Sequence, residues 1–513
     1  MAEQLSRFLN DNGLPREVVL SEDATRVTGK LEYDTRTDEC VGRALPFDDN
    51  SMPIPGSFPC ATVSQIENHF KHQDTSKLLY VYMAQPVARD APSFCVGLFG
   101  TDNEFDSIDS LKRMVHLHNL MKIHGIKVLA HGSDGDPRLL SSDKILSGLG
   151  QNTASQCIHT INGVTVAFPE IHGDLHSEIT PMQDPPHMGT KMRNCFAKDS
   201  YPVAMGKYTA AVSDLEYLMQ VESKDKHKVV PSDIDPTDCM NFKSVLKICS
   251  NECIRGLEKH VPGSDATRMY LTCMKNILQA ALEKDLSIEE RIYKMFNPLY
   301  YLRYWREWLE ESEVHEATLN FITQNTYECI ELNAQGLLET VLGCLEAGSF
   351  ESFLPWLMGS QPCESLFRVF RSQGTVHSMI VNFTVLDSLY KLCKMRKQQS
   401  IMGFNFAAEG IKITFPRNKF LHASFECHDF RDKRLNNETA GQLTLAGIRA
   451  IMDEAKADAF DSARRSEMDV LFEAGNRSFV SKIKLNPTER TRIAAHRPSK
   501  DFLDKTFGHG IEN

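Results

Sequence analysis

Three acidic residues are set in surroundings that chemistry would need. Glu364 opens an amphipathic segment, residues 360–392, in which Leu366, Phe367, Val369 and Phe370 recur at helical spacing, so that Glu364, Phe367 and Arg371 share one face. Asp23 ends or interrupts the β-branched run EVVLSED at residues 17–23. Asp134 follows the apolar run 126–130, in His131-Gly132-Ser133-Asp134-Gly135-Asp136. Two carboxylates on strand ends and one on a helix suit two-metal phosphodiester chemistry. Hard Mg²⁺ or Mn²⁺ takes oxygen ligands, and a pair of ions activates the attacking oxygen while stabilising the leaving one. Each acid also has an ordinary role open to it. With Gln361 as N-cap and Pro362 at N1, Glu364 falls at N3, where a carboxylate satisfies the cap amide and complements the helix dipole. Asp23 and the Asp134-Gly135-Asp136-Pro137 sequence both read as turn chemistry.

The elements that must position these acids follow from periodicity. Residues 26–34 and 40–45 alternate, which predicts a hairpin around 35–38. A Pro/Gly-rich loop at 48–59, a short helix at 63–72 and strands at 78–87 and 94–100 come next. Ile108, Leu111, Met114, Val115, Leu117 and Leu120 predict a helix over 106–124 with Gly125 as its stop, followed by a buried strand at 126–130. Strands, a helix, then a strand with carboxylates at its exit predict an α/β fold with a mixed sheet. Segments 163–168 and 178–182 precede Asp184-Pro185-Pro186-His187. Asp-Pro is an N-cap and N1 pair, and it puts His187, Lys191 and Asn194 on one polar helical face. Residues 197–356 are almost wholly helical in pattern, with helices expected at 208–222, 240–256, 266–283, 288–310, 316–333 and 336–346. This stretch reads as an all-α domain inserted between the sheet and the Glu364 helix. A strand at 411–415, a helix at 444–472 and a loose tail from Asn486 complete the expectation, with no internal repeat.

The chain has 513 residues, beyond the roughly 250–300 at which a single core stops growing, so more than one folded unit is expected. Hydrophobic content of 42% and charged content of 24% are ordinary globular values and exclude a disordered or fibrous chain. No run approaches the roughly 18 apolar residues of a membrane span, and the N-terminus lacks an apolar signal core, so a soluble, non-secreted protein without membrane contact is expected. The 14 Cys are scattered without a repeating spacing, which fits a reduced compartment. A net charge of -11 means that any polyanion would be held by a local basic patch and by bound metal.

Taken together, the pattern resembles a known family. The Glu364 helix with its E-x-x-F-x-x-x-R pattern, the following Gly and N-F-T segment, the strand-borne Asp23 and Asp134, the Asp-Pro-Pro-His helix and the long helical insertion resemble the P element-type transposases, including their THAP-domain relatives, over residues 15–395. The resemblance implies an RNase H-like mixed sheet interrupted by a large all-α insertion. Residues 1–196 would form the first part of the core, 197–356 the insertion, 357–400 the final helical part with Glu364, and 401–513 a partly helical C-terminal region. It implies a DDE-type nuclease or polynucleotidyl transferase, with Asp23, Asp134 and Glu364 as catalytic and metal-binding residues acting through Mg²⁺ or Mn²⁺. The family's P-H-x-x-K-x-x-R-N block maps to Pro186, His187, Lys191, Arg193 and Asn194. His187, Lys191 and Arg193, joined by Arg138 near a strand exit, are the residues expected to contact DNA. A nuclear protein acting on DNA, a homo-oligomer and a GTP cofactor held by the helical insertion are also implied.

Some features depart from the family pattern. Around Asp23 the chain reads S-E-D-A-T where the family has an Asp-Glu-Met type sequence, Asp134 lacks the downstream Asn, and the His-to-Lys spacing is one residue longer. The alternative is therefore a domesticated, catalytically inactive scaffold for nucleic acid or protein. The sheet begins close to Met1, so no N-terminal THAP zinc domain is expected, and no Cys-x-x-Cys occurs to replace it. There is no G-x-x-x-x-G-K-[ST] loop, and the aromatics Phe296, Tyr300, Tyr301, Tyr304, Trp305 and Trp308 have the spacing of a core.

Overall fold

The computed structural model describes residues 1–71, 75–89, 91–149, 157–169, 171, 179–198, 201–372, 383–407 and 443–468. The chain divides into two compact units, Met1–Ser142 with Leu357–Phe430, and Asp143–Trp356 with Arg431–Asn513.

The first unit is built on strands β1 (Glu17–Arg26), β2 (Glu32–Asp34), β3 (Glu39–Val41), β4 (Leu78–Pro86), β5 (Phe94–Thr101) and β6 (Lys127–Ser133). Its sheet runs in the order β5-β4-β1-β6, with β4 antiparallel to both β1 and β5 and β6 parallel to β1. β2 and β3 form the expected hairpin. The central strands are apolar at successive positions because both sheet faces are covered. Leu20, Tyr80, Tyr82, Phe94 and Phe99 face one core, closed by the helices Ala2–Asp11 and Ser107–Ile123 through Leu5, Leu9, Leu117 and Met121. Leu79, Val81, Met83 and Cys95 face the other, under the helices Gln361–Ser372 and Val385–Ala407 through Leu366, Phe367, Phe370 and Leu392. The Ser107–Ile123 helix starts on a capping box between Asp106 and Asp109 and ends at Gly125, whose φ of +66 is left-handed.

Two sequence expectations change here. The N-terminal helix was not foreseen; it forms because Ala2, Leu5 and Leu9 make one buried stripe. β1 extends to Arg26, so Asp23 lies within the strand and does not end it.

The second unit is not all-α, nor does it begin at residue 197. It starts at Asp143 and contains the hairpins β7 (Cys157–Ile161) with β8 (Val164–Phe168) and, after the short strand β9 (Pro181–Gln183), β10 (Val203–Met205) with β11 (Tyr208–Ala210). Tyr208, expected to start a helix, is in a strand, and the helix begins at Val212. The long helices Asp265–Leu282 and Ile288–Glu311 match expectation closely. Gln324–Ala347 is one helix where two were expected, since Gly336 stays helical. A Cβ there would meet the Met182 sulfur at 2.4 Å and the Pro181 carbonyl oxygen at 3.0 Å, so this glycine serves a close approach and does not break the helix. Leu445–Arg465 packs on Ile288–Glu311, with Tyr304 against Phe460 at 5.5 Å and Asn297 donating to the Ala455 carbonyl at 3.1 Å, so this part of the C-terminal region belongs to the helical unit. The strand expected at 411–415 and the tail from Asn486 lie outside the described residues. Among the described residues no helix is long and apolar enough to cross a membrane.

Candidate active site

Side chains alternate along β1, so Glu22 and Asp23 point to opposite faces. Asp23 is buried, pairs with Val81 across the sheet, and accepts the Ala24 amide at 2.6 Å. On its other side β1 runs parallel to β6, and their register shifts: Val18 is opposite Val128, but Val19 is opposite Ala130. Leu129 is therefore the extra residue of a bulge. Beyond it Leu20 pairs with His131 and Ser21 with Gly132. Carried on from Ser21 and Gly132, this register sets Asp23 level with Asp134, the first residue past β6, on the same face.

The Glu364 helix lies on that face. Ser21 Oγ is 3.5 Å from Cys363 Sγ, and that thiol is 4.0 Å from the Val81 carbonyl. Arg371 Nη2 donates to Thr25 Oγ1 at 2.6 Å, so the helix follows β1 from Ser21 to Thr25. The chain entering the helix crosses β6, because a Cβ on Gly132 would meet the Gly359 carbonyl carbon at 2.7 Å. Burial, together with the nearby Asp23 carboxylate, pushes the Cys363 thiol well up. The amides of Cys363 and Glu364 donate to the Ser360 carbonyl at 2.9 and 3.3 Å, which makes Ser360 the cap position. Glu364 then sits one residue past N3, the position from which a capping box closes. Within this single unit the β1–β6 register brings Asp23 and Asp134 toward one end of one sheet face, and the start of the Glu364 helix is seated on that face through Cys363. Among the described residues, no group of three or more His, Cys, Asp or Glu is arranged to hold a metal ion.

Asp134 Oδ1 accepts the Asp136 amide at 2.9 Å, an Asx turn that shapes the strand exit. Arg138 holds this loop from behind: it donates to Asp136 Oδ1 and Oδ2 at 3.0 and 2.9 Å and to the Asn103 carbonyl at 2.9 Å, and its guanidinium lies 3.9 Å from the Phe105 ring centroid. Burial would raise the Asp136 carboxyl, but the Arg138 hydrogen bonds outweigh it and hold the group below its usual range. Arg138, expected to face DNA, works inside the loop.

The sequence reading missed the opposite face. Glu22 accepts from Tyr80 OH at 2.6 Å and its Oε1 is 3.1 Å from His131 Nε2, with all three side chains buried. Arg113, also buried, has its guanidinium carbon 5.2 Å from the Tyr80 ring centroid and 4.4 Å from that of Phe105, and His118 stacks on His131 at 5.8 Å. Burial raises the Glu22 carboxyl, yet the hydrogen bond to His131 and the electrostatic influence of His131 and Arg113 more than offset it, so Glu22 is held below its normal value. The available signal was a pair of consecutive acids inside one apolar strand and a histidine inside another.

The Asp-Pro-Pro-His block belongs to the second unit and forms the helix Pro185–Phe196. His187 Nδ1 is 2.9 Å from Asp184 Oδ2. Lys191 donates to Asn325 Oδ1 at 2.7 Å and lines a cleft of about 200 Å³ with Asn194, Cys195, Lys198, Tyr201 and Thr323. Arg193 has a different task from the expected DNA contact. It is 0% exposed and donates to the carbonyls of Asp233, Asp235 and Asp238 at 2.8, 2.8 and 2.9 Å, tying down the 233–238 loop. The aromatics Phe296, Tyr300, Tyr301, Tyr304, Trp305 and Trp308 are buried and do not offer a face to a base.

No family model and no curated protein sequence matches the chain. Its fold is similar to that of a solved structure titled "Drosophila P element transposase strand transfer complex", with a TM-score of 0.53 and 13% identity, over 78% of this chain and 81% of that one. The likeness is one of fold, a P element transposase-like arrangement of a mixed sheet and many helices.

Proposed function

We propose that the first unit is an RNase H-like nuclease core and that the protein is a transposase-derived, DDE-type polynucleotidyl transferase acting on DNA. The observation that carries this is the pairing of Ser21 with Gly132, two residues short of Asp23 and Asp134, with the start of the Glu364 helix laid over the same face. The fold likeness to a transposase supports the same reading. Three carboxylates fit Mg²⁺ or Mn²⁺ by the hardness of their donors, and Asp23, Asp134 and Glu364 are the residues that would hold such ions. The bound metal would supply an activated oxygen nucleophile and charge stabilisation for the leaving oxygen.

The chain's own residues do the positioning. Cys363 and Arg371 seat the Glu364 helix on β1, and the Asp136–Arg138 pair shapes the loop that presents Asp134. Lys191 and Lys198 beside their cleft, with His187 on the same helix as Lys191, are the cationic groups of this reading that would meet DNA phosphates. Strand transfer at two DNA ends calls for more than one copy, and the substrate places the protein in the nucleus. The buried aromatics do not suit a guanine base, and no step here runs through GTP.

A second reading is a catalytically inactive scaffold. It is favoured by Asp23 and Asp134 each engaging a carboxylate oxygen with a backbone amide. The test is incubation of the full chain with supercoiled plasmid and end-labelled duplexes in Mg²⁺ or Mn²⁺. Metal-dependent nicking or joining that disappears in Asp23→Asn, Asp134→Asn and Glu364→Gln supports the enzyme. DNA binding with no metal-dependent product in the unmodified chain supports the scaffold.

A further inference from the structure

The β1–β6 pair contains a register shift whose consequence falls on the candidate site. Without the extra residue Leu129, the pairing of Val18 with Val128 would continue as Val19 with Leu129, and so on up both strands. Asp23 would then lie level with Ser133, and Asp134 would belong to the opposite sheet face. The bulge moves β6 by one residue, bringing Gly132 and Asp134 onto the face of Ser21 and Asp23 and carrying His131 onto the face of Leu20 and Glu22. Backbone hydrogen bonding alone does not choose between these registers, since a parallel ladder repeats along the strand. What differs is the side-chain partner left beside Glu22. In the observed register His131 Nε2 lies 3.1 Å from Glu22 Oε1; in the slipped one the His131 side chain would leave that face and the buried carboxylate would lose this partner. Tyr80 would still donate to Glu22, but a buried carboxylate that loses one of its hydrogen bonds is destabilised, so the slipped register is penalised.

We propose that Glu22 and His131 are positioning residues: their buried hydrogen bond locks the bulged register of β1 on β6 and thereby sets Asp23 level with Asp134 on the opposite face. Tyr80, donating to Glu22 at 2.6 Å, and Arg113, packed over Tyr80, hold the carboxylate in place. His118, stacked on His131, holds the imidazole. The catalytic consequence rests on the two-metal reading above, whereas the register lock itself does not.

The test therefore has two arms on the full-length chain. In the first, paired cysteines report register. Val19→Cys with Ala130→Cys samples the observed pairing, and Val19→Cys with Leu129→Cys samples the slipped one, with mild oxidation and peptide mapping to identify the bridge. The lock predicts a disulfide between positions 19 and 130 in the otherwise unmodified chain, and a substantial share of the bridge between positions 19 and 129 once Glu22→Leu and His131→Leu are added. A bridge between 19 and 130 that persists unchanged in that background, with none between 19 and 129, overturns the lock. In the second arm, Glu22→Leu/His131→Leu is assayed for metal-dependent DNA cleavage. A displaced carboxylate predicts a fall in kcat of about 100-fold with KM for DNA held, and Glu22→Gln, which keeps the shape and an acceptor oxygen, recovers most of the loss. A merely structural role would lower the active fraction in step with folded protein measured by circular dichroism, and that result would overturn the positioning claim. If the unmodified chain shows no cleavage, the two-metal reading fails while the cross-linking arm still decides the register lock.

Discussion

Gly132 on β6 lies so close to Gly359 that a Cβ on Gly132 would come within 2.7 Å of the Gly359 carbonyl carbon and 2.8 Å of its oxygen. This contact brings the approach to the Glu364 helix down onto the β1–β6 pair, and it involves main chain on the Gly359 side, which cannot swing away as a long side chain would.

Gly132→Ala is accordingly expected to lift the start of the Glu364 helix. Overpacking of this kind costs about 1–3 kcal/mol. Chemical denaturation should show that loss, and any Mn²⁺-dependent rise in melting temperature should shrink with it. A variant as stable as the parent would mean that the 357–360 segment yields freely.

The three carboxylates should respond to neutralisation as a set. Asp23→Asn, Asp134→Asn and Glu364→Gln keep side-chain shape, and the carboxamide oxygen introduced by Asp134→Asn can still accept the Asp136 amide. Acids brought together repel until a cation neutralises them, so each variant should melt at an equal or higher temperature than the parent without metal. Each should also lose the stabilisation that Mg²⁺ or Mn²⁺ gives the parent. A melting series with and without millimolar metal decides this; a parent with no metal-dependent shift has no working metal site.

Lys191 and Arg193 should separate cleanly despite their closeness in sequence. Lys191→Gln is expected to leave stability nearly unchanged and to reduce the salt dependence of DNA binding by about one unit of slope. Arg193→Gln removes buried hydrogen bonds to three carbonyls and should cost about 3 kcal/mol or more, read by urea denaturation. An unaltered salt slope in Lys191→Gln would move the phosphate contact elsewhere.

Asp34 gives the acid limb of stability a defined contributor. Hydrogen bonds from the Arg36 side chain act first, with the Arg36 amide and Tyr390 OH assisting against burial, and hold the Asp34 carboxyl below its ordinary 3.8. Because the folded value is the lower one, the ionised carboxylate stabilises the fold fully above the unfolded value. That contribution disappears as pH falls from there through the lowered folded value. Asp34→Asn should therefore flatten the loss of stability in that acidic window and leave the slope near neutrality unchanged. Melting temperatures measured across the acid range check it, and a slope identical to the parent's would show that the titrating group lies elsewhere.

Much of the first unit was legible because its signals are local. The hairpin of β2 and β3, the Ser107–Ile123 helix with Gly125 as stop, and the strand around Leu79–Met83 follow from alternation, helical spacing with a glycine stop, and an apolar run of strand length, all within a few residues. The same holds for Ile288–Glu311 in the second unit and for the acid types at Asp23, Asp134 and Glu364. Short β-hairpins inside the helical stretch, such as Val203–Met205 with Tyr208–Ala210, were hidden because three-residue strands carry no periodic signal.

Tertiary structure decided the rest. Arg193 and Lys191 look alike as cations on one helix; only packing against the 233–238 loop makes one a buried tie and leaves the other beside a cleft. The helix expected to stop at 333 and restart at 336 runs through, and Gly336 is needed there for the Cβ it lacks beside Met182 and Pro181. The Leu129 bulge and the Glu22–His131 bond arise between strands more than a hundred residues apart in sequence. Sequence supplies the chemical type of each side chain and the local backbone period, both set by nearest neighbours. Which face of the sheet Asp134 shares with Asp23 is a matter of inter-strand register, and register is selected by the burial and pairing of groups that meet only when the chain has folded.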